Sequence, residues 1–513
     1  MELPRSAGIL LHPTSVYTRY GIGDLGPDTF QFIEFLKASS QHFMQVLPIG
    51  PTGYADSPYQ TISAFAGNPL LISPDGLIQM ELITLEEVDQ CLKEIKIHDE
   101  PSKNLKVNYQ NVIDLKEKIL KIAFKTFLQK QFQQNSKLND SFVKFCEEQA
   151  YWLDDFVLFY SLKVANNLQS WITWPKNFAL RHKNALKVWI AGHSRELKLY
   201  KFIQWIFSIQ WTNLRDFAHK NNVEIIGDMP IFVAHDSVDV WANSDLFTLN
   251  PDGTLEYQAG VPPDYFSKTG QLWGNPLYKW EILQERNFKW FIQRFKRQIE
   301  LFDWIRVDHF RGFQAFWRIS GTAKDAIDGK WIKAPGEDLF IEVQKQLGIL
   351  PIIAEDLGVI TSEVEALRDK FNFPGMKILQ FAFGSDEENP YLPHNFVHNC
   401  ISYTGTHDNN TTLGWWQNDA TKTEKKNLRE YLNTKSENKS VVDDLIRILY
   451  RSIAKVAIIP IQDLLGQGEE ARMNTPSVEG GNWQYQVKID NDVKNRAKFL
   501  KKITKLYGRK VII

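Results

Sequence analysis

Eight short apolar runs, each followed at once by polar residues, recur along the 513-residue chain and constrain its fold more than any other feature. Their length and their content of β-branched residues favour β-strands over helices. Eight such strands, with helical patterns between many of them, predict an α/β fold, the (β/α)8 TIM barrel. The predicted strands are 7–13, 43–50, 223–233, 304–310, 351–358, 375–383, 400–408 and 456–465.

Helical patterns occupy several of the gaps between these runs. Pro27 stands where a first helical turn tolerates proline, so a helix is expected to begin there. Residues 337–347 repeat apolar side chains at helical spacing and end before a glycine. Ser362 and Glu365 fit a capping box, which predicts a helix that begins after Ser362.

Two connections are too long for simple crossovers between parallel strands. Residues 75–194 contain several helical patterns and are interpreted as a mainly helical insertion between strands two and three. Residues 234–280 are rich in glycine, proline, aspartate and aromatic residues, and predict an irregular active-site loop inserted between strands three and four. Residues 1–513 as a whole are expected to form a single catalytic barrel with these two insertions.

The balance of charge removes some classes of partner. Lys and Arg number 60 and Asp and Glu number 61, for a net charge of -1, which gives no electrostatic reason to expect nucleic acid or an anionic membrane. No apolar run is long enough to span a membrane. The three widely spaced cysteines predict buried free thiols. A cytoplasmic location is the default, and the plastid stroma is an alternative if a transit peptide has been removed.

Ionisable residues gather at the predicted strand ends, where the active site of a parallel barrel forms. Clustered carboxylates raise the pKa of at least one member, and glycoside cleavage uses such mixed protonation. An ion-pair network and a divalent-metal site are the alternatives, although an arginine beside Asp308 argues against a cation there. The strand-end residues are Asp228, Arg306, Asp308, His309, Glu355, Asp356, His407 and Asp408. For Asp356 or Arg311 alone, a structural ion pair is the better interpretation.

The motifs around these residues resemble those of the 4-α-glucanotransferases, also called amylomaltases or disproportionating enzymes, within the α-amylase clan. The resemblance extends over essentially the full length, and the motifs occur in order. They read GILLHPTSV, GIGDLG, DSPYQTISAFAGNPLLI, GDMPIFVAHDSVDVWAN, AGVPPDYFSKTGQLWGNPLY, RVDHFRGF, IIAEDLG, YTGTHDNNTTLGWW and ARMNTPS.

This resemblance implies a retaining transfer between α-1,4-glucans without a metal or an organic cofactor. By motif position, Asp308 resembles the nucleophile, Glu355 the general acid/base and Asp408 the carboxylate that holds the distorted sugar. A retaining pair implies that the carboxyl groups of Asp308 and Glu355 lie about 5–5.5 Å apart. Arg306 is expected to keep Asp308 ionised.

The same motifs imply a set of substrate-binding residues. Tyr59 resembles an aromatic platform beneath the sugar, and the region 234–280 resembles a cover over the acceptor side of the cleft. For Tyr59, Asp228, His309 and His407, support of neighbouring groups is the alternative to contact with the sugar. The implied binding residues are Tyr54, Ser57, Tyr59, Asp228, Tyr265, Phe266, Gln271, Trp273, Arg306, His309, His407 and Asn474. The implied partners are maltooligosaccharides, amylose, starch or glycogen, with glucose as an acceptor.

Two other functions remain open at this point. A hydrolase of the same clan would use the same three carboxylates, and only the aromatic 234–280 region favours transfer over hydrolysis. A non-catalytic glucan-binding barrel would be expected to have lost Asp308, Glu355 or Asp408, yet all three are present.

Overall fold

Twelve β-strands organise the protein, whose structure is a computed structural model that describes residues 2–97, 105–131, 137–263, 267–435, 437–478 and 480–511. They are β1 (Ser6–Leu10), β2 (Phe43–Gln45), β3 (Glu224–Pro230), β4 (Tyr257–Val261), β5 (Gln271–Pro276), β6 (Trp304–Asp308), β7 (Ala315–Ser320), β8 (Gly329–Lys333), β9 (Ile352–Ala354), β10 (Gly375–Ile378), β11 (Cys400–Tyr403) and β12 (Val456–Pro460).

Eight of the strands form one parallel sheet in the order β10-β11-β12-β1-β2-β3-β6-β9. This order follows the chain cyclically, as a (β/α)8 barrel requires. The outermost strands meet where the N–H of Ala354, in β9, donates to the carbonyl oxygen of Pro374, beside β10, over 2.9 Å. The predicted barrel and all eight of its strands are therefore confirmed.

The strands are shorter than the sequence predicts, most clearly at 400–408, where β11 ends at Tyr403. Beyond that point side chains satisfy the backbone locally, because Asn409 Oδ1 accepts from both the N–H and the hydroxyl of Thr406. Such bonds replace the hydrogen bonds of a strand ladder. Glu355, His407 and Asp408 consequently lie in loops just after β9 and β11 rather than within the strands.

A second, antiparallel sheet was not predicted. Its order is β5-β4-β7-β8, and its first two strands fall within 234–280, which was expected to be an irregular loop. The pairing of β4 with β5 contains a register shift between Gln258 and Gly260. A bulged, glycine-containing pair lacks the regular alternation by which strands are recognised.

Helices surround the barrel and fill the long connection between β2 and β3. The α-helices in that connection are Pro74–Gln79, Leu85–Ile95, Tyr109–Gln131, Lys137–Glu148, Ala150–Ala165, Lys176–Ala179, Lys183–Gly192 and Ser194–Lys220. The remaining described α-helices are Pro27–Ala38, Val238–Ala242, Trp280–Glu285, Lys289–Leu301, Gly336–Leu347, Ser362–Lys370, Thr412–Gly414, Lys422–Leu432, Lys439–Arg451, Ile461–Leu465 and Asn491–Leu506. The domain boundaries at 75–194 and 234–280 stay predictions.

The helix expected after Ser362 is present, but its predicted capping box is wrong. The helix begins at Ser362 itself, and Thr361 is the N-cap residue without a side-chain capping bond. The helices expected at Pro27 and at 337–347 begin and end close to their predicted limits.

Candidate active site

Arg306 lies between two carboxylates because of the strand register. The pairing of β3 with β6 sets Asp228 opposite Arg306, and Asp308 follows two residues later on the same face. Arg306 Nη1 is 2.6 Å from Asp228 Oδ2, and Nη2 is 2.9 Å from Asp308 Oδ1. Both Arg306 and Asp228 are buried. Burial raises the pKa of Asp228, opposed by the Arg306 charge and reinforced by Asp308.

Glu355 is held by the chain segment that carries Asp308. The backbone N–H of His309 donates to Glu355 Oε2 over 2.7 Å, and His309 adopts a left-handed conformation with φ 51°. Burial raises the pKa of Glu355 to about 8, with a further upward contribution from the Asp308 charge. Glu355 is therefore protonated at neutral pH.

Asp408 shows the opposite behaviour. Burial opposes its ionisation, but His407 beside it and a hydrogen bond from Asn474 hold the pKa of Asp408 well below its usual range. Asn474 Nδ2 donates to Asp408 Oδ1 over 2.6 Å, and His407 Nε2 lies 3.3 Å from Oδ2. Arg472 donates to the Asp408 carbonyl oxygen over 2.8 Å. Asp408 is therefore ionised at neutral pH, whereas Glu355 keeps its proton.

Tyr59 contacts Asp228 directly and reaches Asp408 through His407. Its hydroxyl donates to Asp228 Oδ2 over 2.7 Å, and its ring stacks on His407 with centroids 5.0 Å apart. Its backbone N–H donates to Ser57 Oγ over 3.2 Å, so Ser57 fixes the turn that presents the ring. Tyr54, in the same segment, is 68% exposed.

Trp273 brings the second sheet to the carboxylates. Its ring meets His309 edge to face, with centroids 4.8 Å apart, and its indole N–H donates to Gln271 Oε1 over 3.2 Å. Trp273 and Gln271 both lie in β5. Tyr265 and Phe266, the other aromatic residues predicted here, lie outside the described residues.

Two buried polar atoms of the described residues at this site have no hydrogen-bond partner. Within the described part of the chain, neither Asp228 Oδ1 nor His309 Nε2 has a hydrogen-bond partner. Burial lowers the pKa of His309 to about 4, so its ring is neutral at pH 7. Unpaired buried polar atoms are costly unless a ligand satisfies them.

Sequence reasoning missed three residues of this region. His12 and His407 line one pocket, and burial lowers the pKa of His12 to about 3. The N–H of Leu47 donates to His12 Nδ1, which places the ring proton on Nε2. His12 follows the first strand closely, so the strand-end pattern would have found it. Arg472 lies within the motif ARMNTPS, from which only Asn474 was named, whereas Trp483 had no such signal because it contacts the site only through tertiary packing.

Asp356 and Arg311 serve structural roles. Asp356 pairs with Arg368 and accepts the N–H of Met376, while the Arg311 guanidinium lies 3.7 Å above the Trp331 ring. Within the described ranges, no three His, Cys, Asp or Glu side chains are grouped in a way that could hold a metal ion. No helix among the described residues is long and apolar enough to cross a membrane.

The structure is a parallel barrel with an ionised carboxylate, a protonated carboxyl group and stacked aromatic rings at the ends of its strands. This arrangement defines the class of carboxylate enzymes that act on glycosidic bonds. The family model described as 4-alpha-glucanotransferase matches residues 11–491. The chain belongs to this family, and it is an enzyme.

Individual relatives agree over nearly the whole length. The chain is 45% identical over 512 residues to a 4-alpha-glucanotransferase of Synechocystis sp., covering 99% of this chain and 98% of the relative. It is 45% identical over 493 residues to one from Thermus thermophilus, covering 95% of each. The solved amylomaltase from Streptococcus agalactiae, in complex with acarbose, superposes with a TM-score of 0.92 at 36% identity, covering 98% of this chain and 99% of that chain. The family and the glucan-transferring activity expected from the motifs are confirmed.

Proposed function

We propose that the chain transfers a segment of an α-1,4-glucan to the 4-hydroxyl of an acceptor glucose or glucan by a retaining double displacement. Asp308 is the nucleophile, Glu355 the general acid and base, and Asp408 the carboxylate that holds the distorted sugar. Glucan binding is supported by the acarbose complex of the Streptococcus agalactiae relative. No metal or organic cofactor takes part in the proposed steps.

In the first step, Glu355 gives its proton to the glycosidic oxygen while Asp308 attacks the anomeric carbon. The glycosidic bond breaks, a shorter glucan leaves with the proton, and a covalent glucosyl-enzyme remains. In the second step, the Glu355 carboxylate removes the proton from the acceptor 4-hydroxyl. The acceptor oxygen then bonds to the anomeric carbon and Asp308 is released.

The observation that carries this assignment is that the pKa values of two carboxyl groups in one site are shifted in opposite directions. Burial and the Asp308 charge raise the pKa of Glu355 to about 8, whereas His407 and Asn474 hold the pKa of Asp408 low. Pairs of carboxyl groups with separated pKa values mark acid and base roles. Arg306 places a positive charge 2.9 Å from Asp308 Oδ1, beside the proposed nucleophile. The separation of about 5–5.5 Å between Asp308 and Glu355 stays a prediction.

The sugar at the cleavage point is proposed to rest on Tyr59 and His407. The open atoms Asp228 Oδ1 and His309 Nε2 support this position, since sugar hydroxyl groups could pair with both. Trp273 and Gln271 are proposed to face the acceptor, because Trp273 reaches the site through His309. Tyr54, Ser57, Tyr265, Phe266 and Asn474 remain predicted substrate-binding residues.

Incubation with maltotriose, without phosphate or added metal, tests the proposal. The expected products are glucose and a ladder of longer maltooligosaccharides, with a constant number of reducing ends. Only shorter products, with one new reducing end for each bond cleaved, would indicate a hydrolase instead. Asp308→Asn is the matched control, and it should still bind maltotriose while making neither set of products.

The substrates and the cellular location of the reaction are also proposals, based on the motif resemblance. Maltooligosaccharides, amylose, starch or glycogen are the donors, and glucose is an acceptor. A cytoplasmic location, or the plastid stroma, stays a prediction.

A further inference from the structure

Trp483 completes a group of three rings beside the carboxylates. Its ring centroid lies 5.8 Å from that of Tyr59 and 6.0 Å from that of His407, and the side chain is buried. Tyr59 and His407 in turn contact Asp228 and Asp408. Trp483 therefore packs against both aromatic supports of the site. This group is called the ring cluster below.

The backbone of Trp483 is held in an unusual conformation. Its φ of 64° lies in the left-handed region, which is strained for a residue other than glycine. Two hydrogen bonds oppose this strain. The Trp483 N–H donates to the Met473 carbonyl oxygen over 2.9 Å, and the Trp483 carbonyl oxygen accepts from the Tyr109 hydroxyl over 2.8 Å.

The bond from Tyr109 joins two parts of the chain that lie 374 positions apart in sequence. Tyr109 begins the helix Tyr109–Gln131, in the helical connection between β2 and β3. The neighbouring Val107 N–H donates to the Gln484 carbonyl oxygen over 2.9 Å, and Lys106 pairs with Tyr485 in an antiparallel bridge. The start of this helix is thus attached directly to the chain around Trp483.

The same loop also holds Asp408. The Asn474 N–H donates to the His407 carbonyl oxygen over 3.1 Å, and the Asn474 side chain binds the Asp408 carboxylate. Because the bond from Trp483 to Met473 closes the loop next to Asn474, a shift of Trp483 would move the contacts of His407 and Asp408 together. The loop therefore links the ring cluster to the carboxylate.

We infer that Trp483 is a positioning residue for glucan transfer and that Tyr109 fixes it, so that the helical connection between β2 and β3 takes part in aligning the site. This inference rests on the function proposed above. Trp483 acts through Tyr59 and His407, which are proposed to hold the sugar as it distorts. Loss of Trp483 should therefore weaken binding of the transition state more than binding of the substrate.

Three variants test the inference with maltotriose as substrate. Trp483→Leu removes the ring, Trp483→Phe retains an aromatic ring, and Tyr109→Phe removes only the hydroxyl that binds the Trp483 carbonyl oxygen. Tyr450→Phe is the matched control, since it also loses one buried hydroxyl bond, to Gln41, and touches none of the proposed site residues.

The expected result is a split between kcat and KM. Trp483→Leu should lower kcat by about tenfold or more while KM changes by less than about threefold, which is the pattern of a lost transition-state interaction. Trp483→Phe should recover most of the rate. Tyr109→Phe should lower kcat by about threefold, and Tyr450→Phe should retain the wild-type kcat. All assays are run well below the unfolding midpoint of each variant.

Other outcomes would overturn the inference. An unchanged kcat in both Trp483→Leu and Tyr109→Phe would show that Trp483 positions nothing. An equal loss in Tyr450→Phe would reduce the effect to general stability. If Trp483→Leu does not fold, Tyr109→Phe against Tyr450→Phe decides the question alone. A wild-type protein that makes no maltotriose ladder would instead refute the proposed function, and the inference would fail with it.

Discussion

The backbone N–H of His309 donates to Glu355 Oε2 over 2.7 Å, so the residue that follows Asp308 in the chain holds the proposed acid and base. The left-handed φ of His309 turns this N–H away from the ladder of β6 and towards the loop after β9. One backbone turn thereby ties the position of the proposed nucleophile to that of its partner. A residue other than glycine tolerates this conformation here because its hydrogen bond to the Glu355 carboxyl group offsets the strain.

The pH dependence of transfer should report the raised pKa of Glu355. The first step needs a protonated Glu355, so kcat/KM for maltotriose should fall as the pH rises through about 8. Asp408, whose pKa is held low, stays ionised throughout this range. Initial rates measured between pH 5 and about 10 check the prediction. A kcat/KM that does not fall between neutral pH and about pH 10 would contradict the assignment of Glu355.

Glu355→Gln should abolish turnover and make the protein more stable at neutral pH. The folded-state pKa of Glu355 is raised from 4.5 to about 8, so between these values the folded chain keeps a proton that the unfolded chain releases. Its contribution to the free energy of unfolding therefore falls as the pH rises through that window. Replacing it should add about 3 kcal/mol at pH 7 and little at pH 4.

Thermal unfolding at the two pH values measures this difference. Glu388→Gln, at an exposed position, serves as the control and should show the same Tm as the wild type at both. A Glu355→Gln protein that gained nothing at pH 7 would mean that the ionised Glu355 carboxylate carries no cost in the folded state.

Trp273→Ala should impair acceptor use more than bond cleavage. Trp273 packs against His309 from β5, on the sheet proposed to cover the acceptor side. Its removal should admit water to the glucosyl-enzyme, so the ratio of transfer to hydrolysis should fall by about tenfold. Product ladders compared with counts of new reducing ends give this ratio. Trp331→Ala, in β8 of the same sheet, is the control, and an unchanged ratio in Trp273→Ala would refute the role.

Arg509 should be a large single contributor to stability. It is fully buried, and it donates to the carbonyl oxygens of Tyr450, Ser6 and Ala454 over 2.7, 3.0 and 3.0 Å. Within the described residues it has no carboxylate partner. Its guanidinium connects β1 with the end of the helix Lys439–Arg451 and the segment before β12. Its charge also suits the carbonyl groups at a helix C-terminus.

Arg509→Met should remove these hydrogen bonds, leaving Arg5 as the remaining side-chain donor to the Tyr450 and Ala454 carbonyl oxygens, and lower the free energy of unfolding by about 3 kcal/mol. Arg286→Met is the matched control, because Arg286 forms an exposed pair with Asp245 and its loss should cost less than about 1 kcal/mol. Chemical denaturation of both variants measures the difference. Equal midpoints for the two variants would contradict the proposed role of Arg509.

The barrel was predictable from sequence because each strand is a separate apolar run, and parallel strands ending together bring their following residues to one face. That reasoning brought Asp308, Glu355 and Asp408 to one site, and it would also have found His12. Strand limits were less predictable, because side chains such as Asn409 satisfy the backbone beyond Tyr403. The second sheet was missed because its first pair is bulged at Gly260.

The contacts that position the site could not be predicted in the same way. Asn474 reaches Asp408 across 66 positions, and Tyr109 reaches Trp483 across 374. Neither bond follows from a local pattern, since each depends on how a loop or helix packs after the barrel has closed. The motif resemblance named Asn474 as a substrate-binding residue, whereas the structure shows its hydrogen bond to the third carboxylate.

Mass spectrometry of Glu355→Gln treated with α-maltotriosyl fluoride tests most directly whether Asp308 is the nucleophile. Fluoride leaves without protonation, so the first step should proceed while the missing base slows the second. We expect a stable adduct of one maltotriosyl group on the peptide that contains Asp308, and no adduct in the Glu355→Gln, Asp308→Asn double variant. An adduct on any other residue, or an undiminished adduct in the double variant, would contradict it.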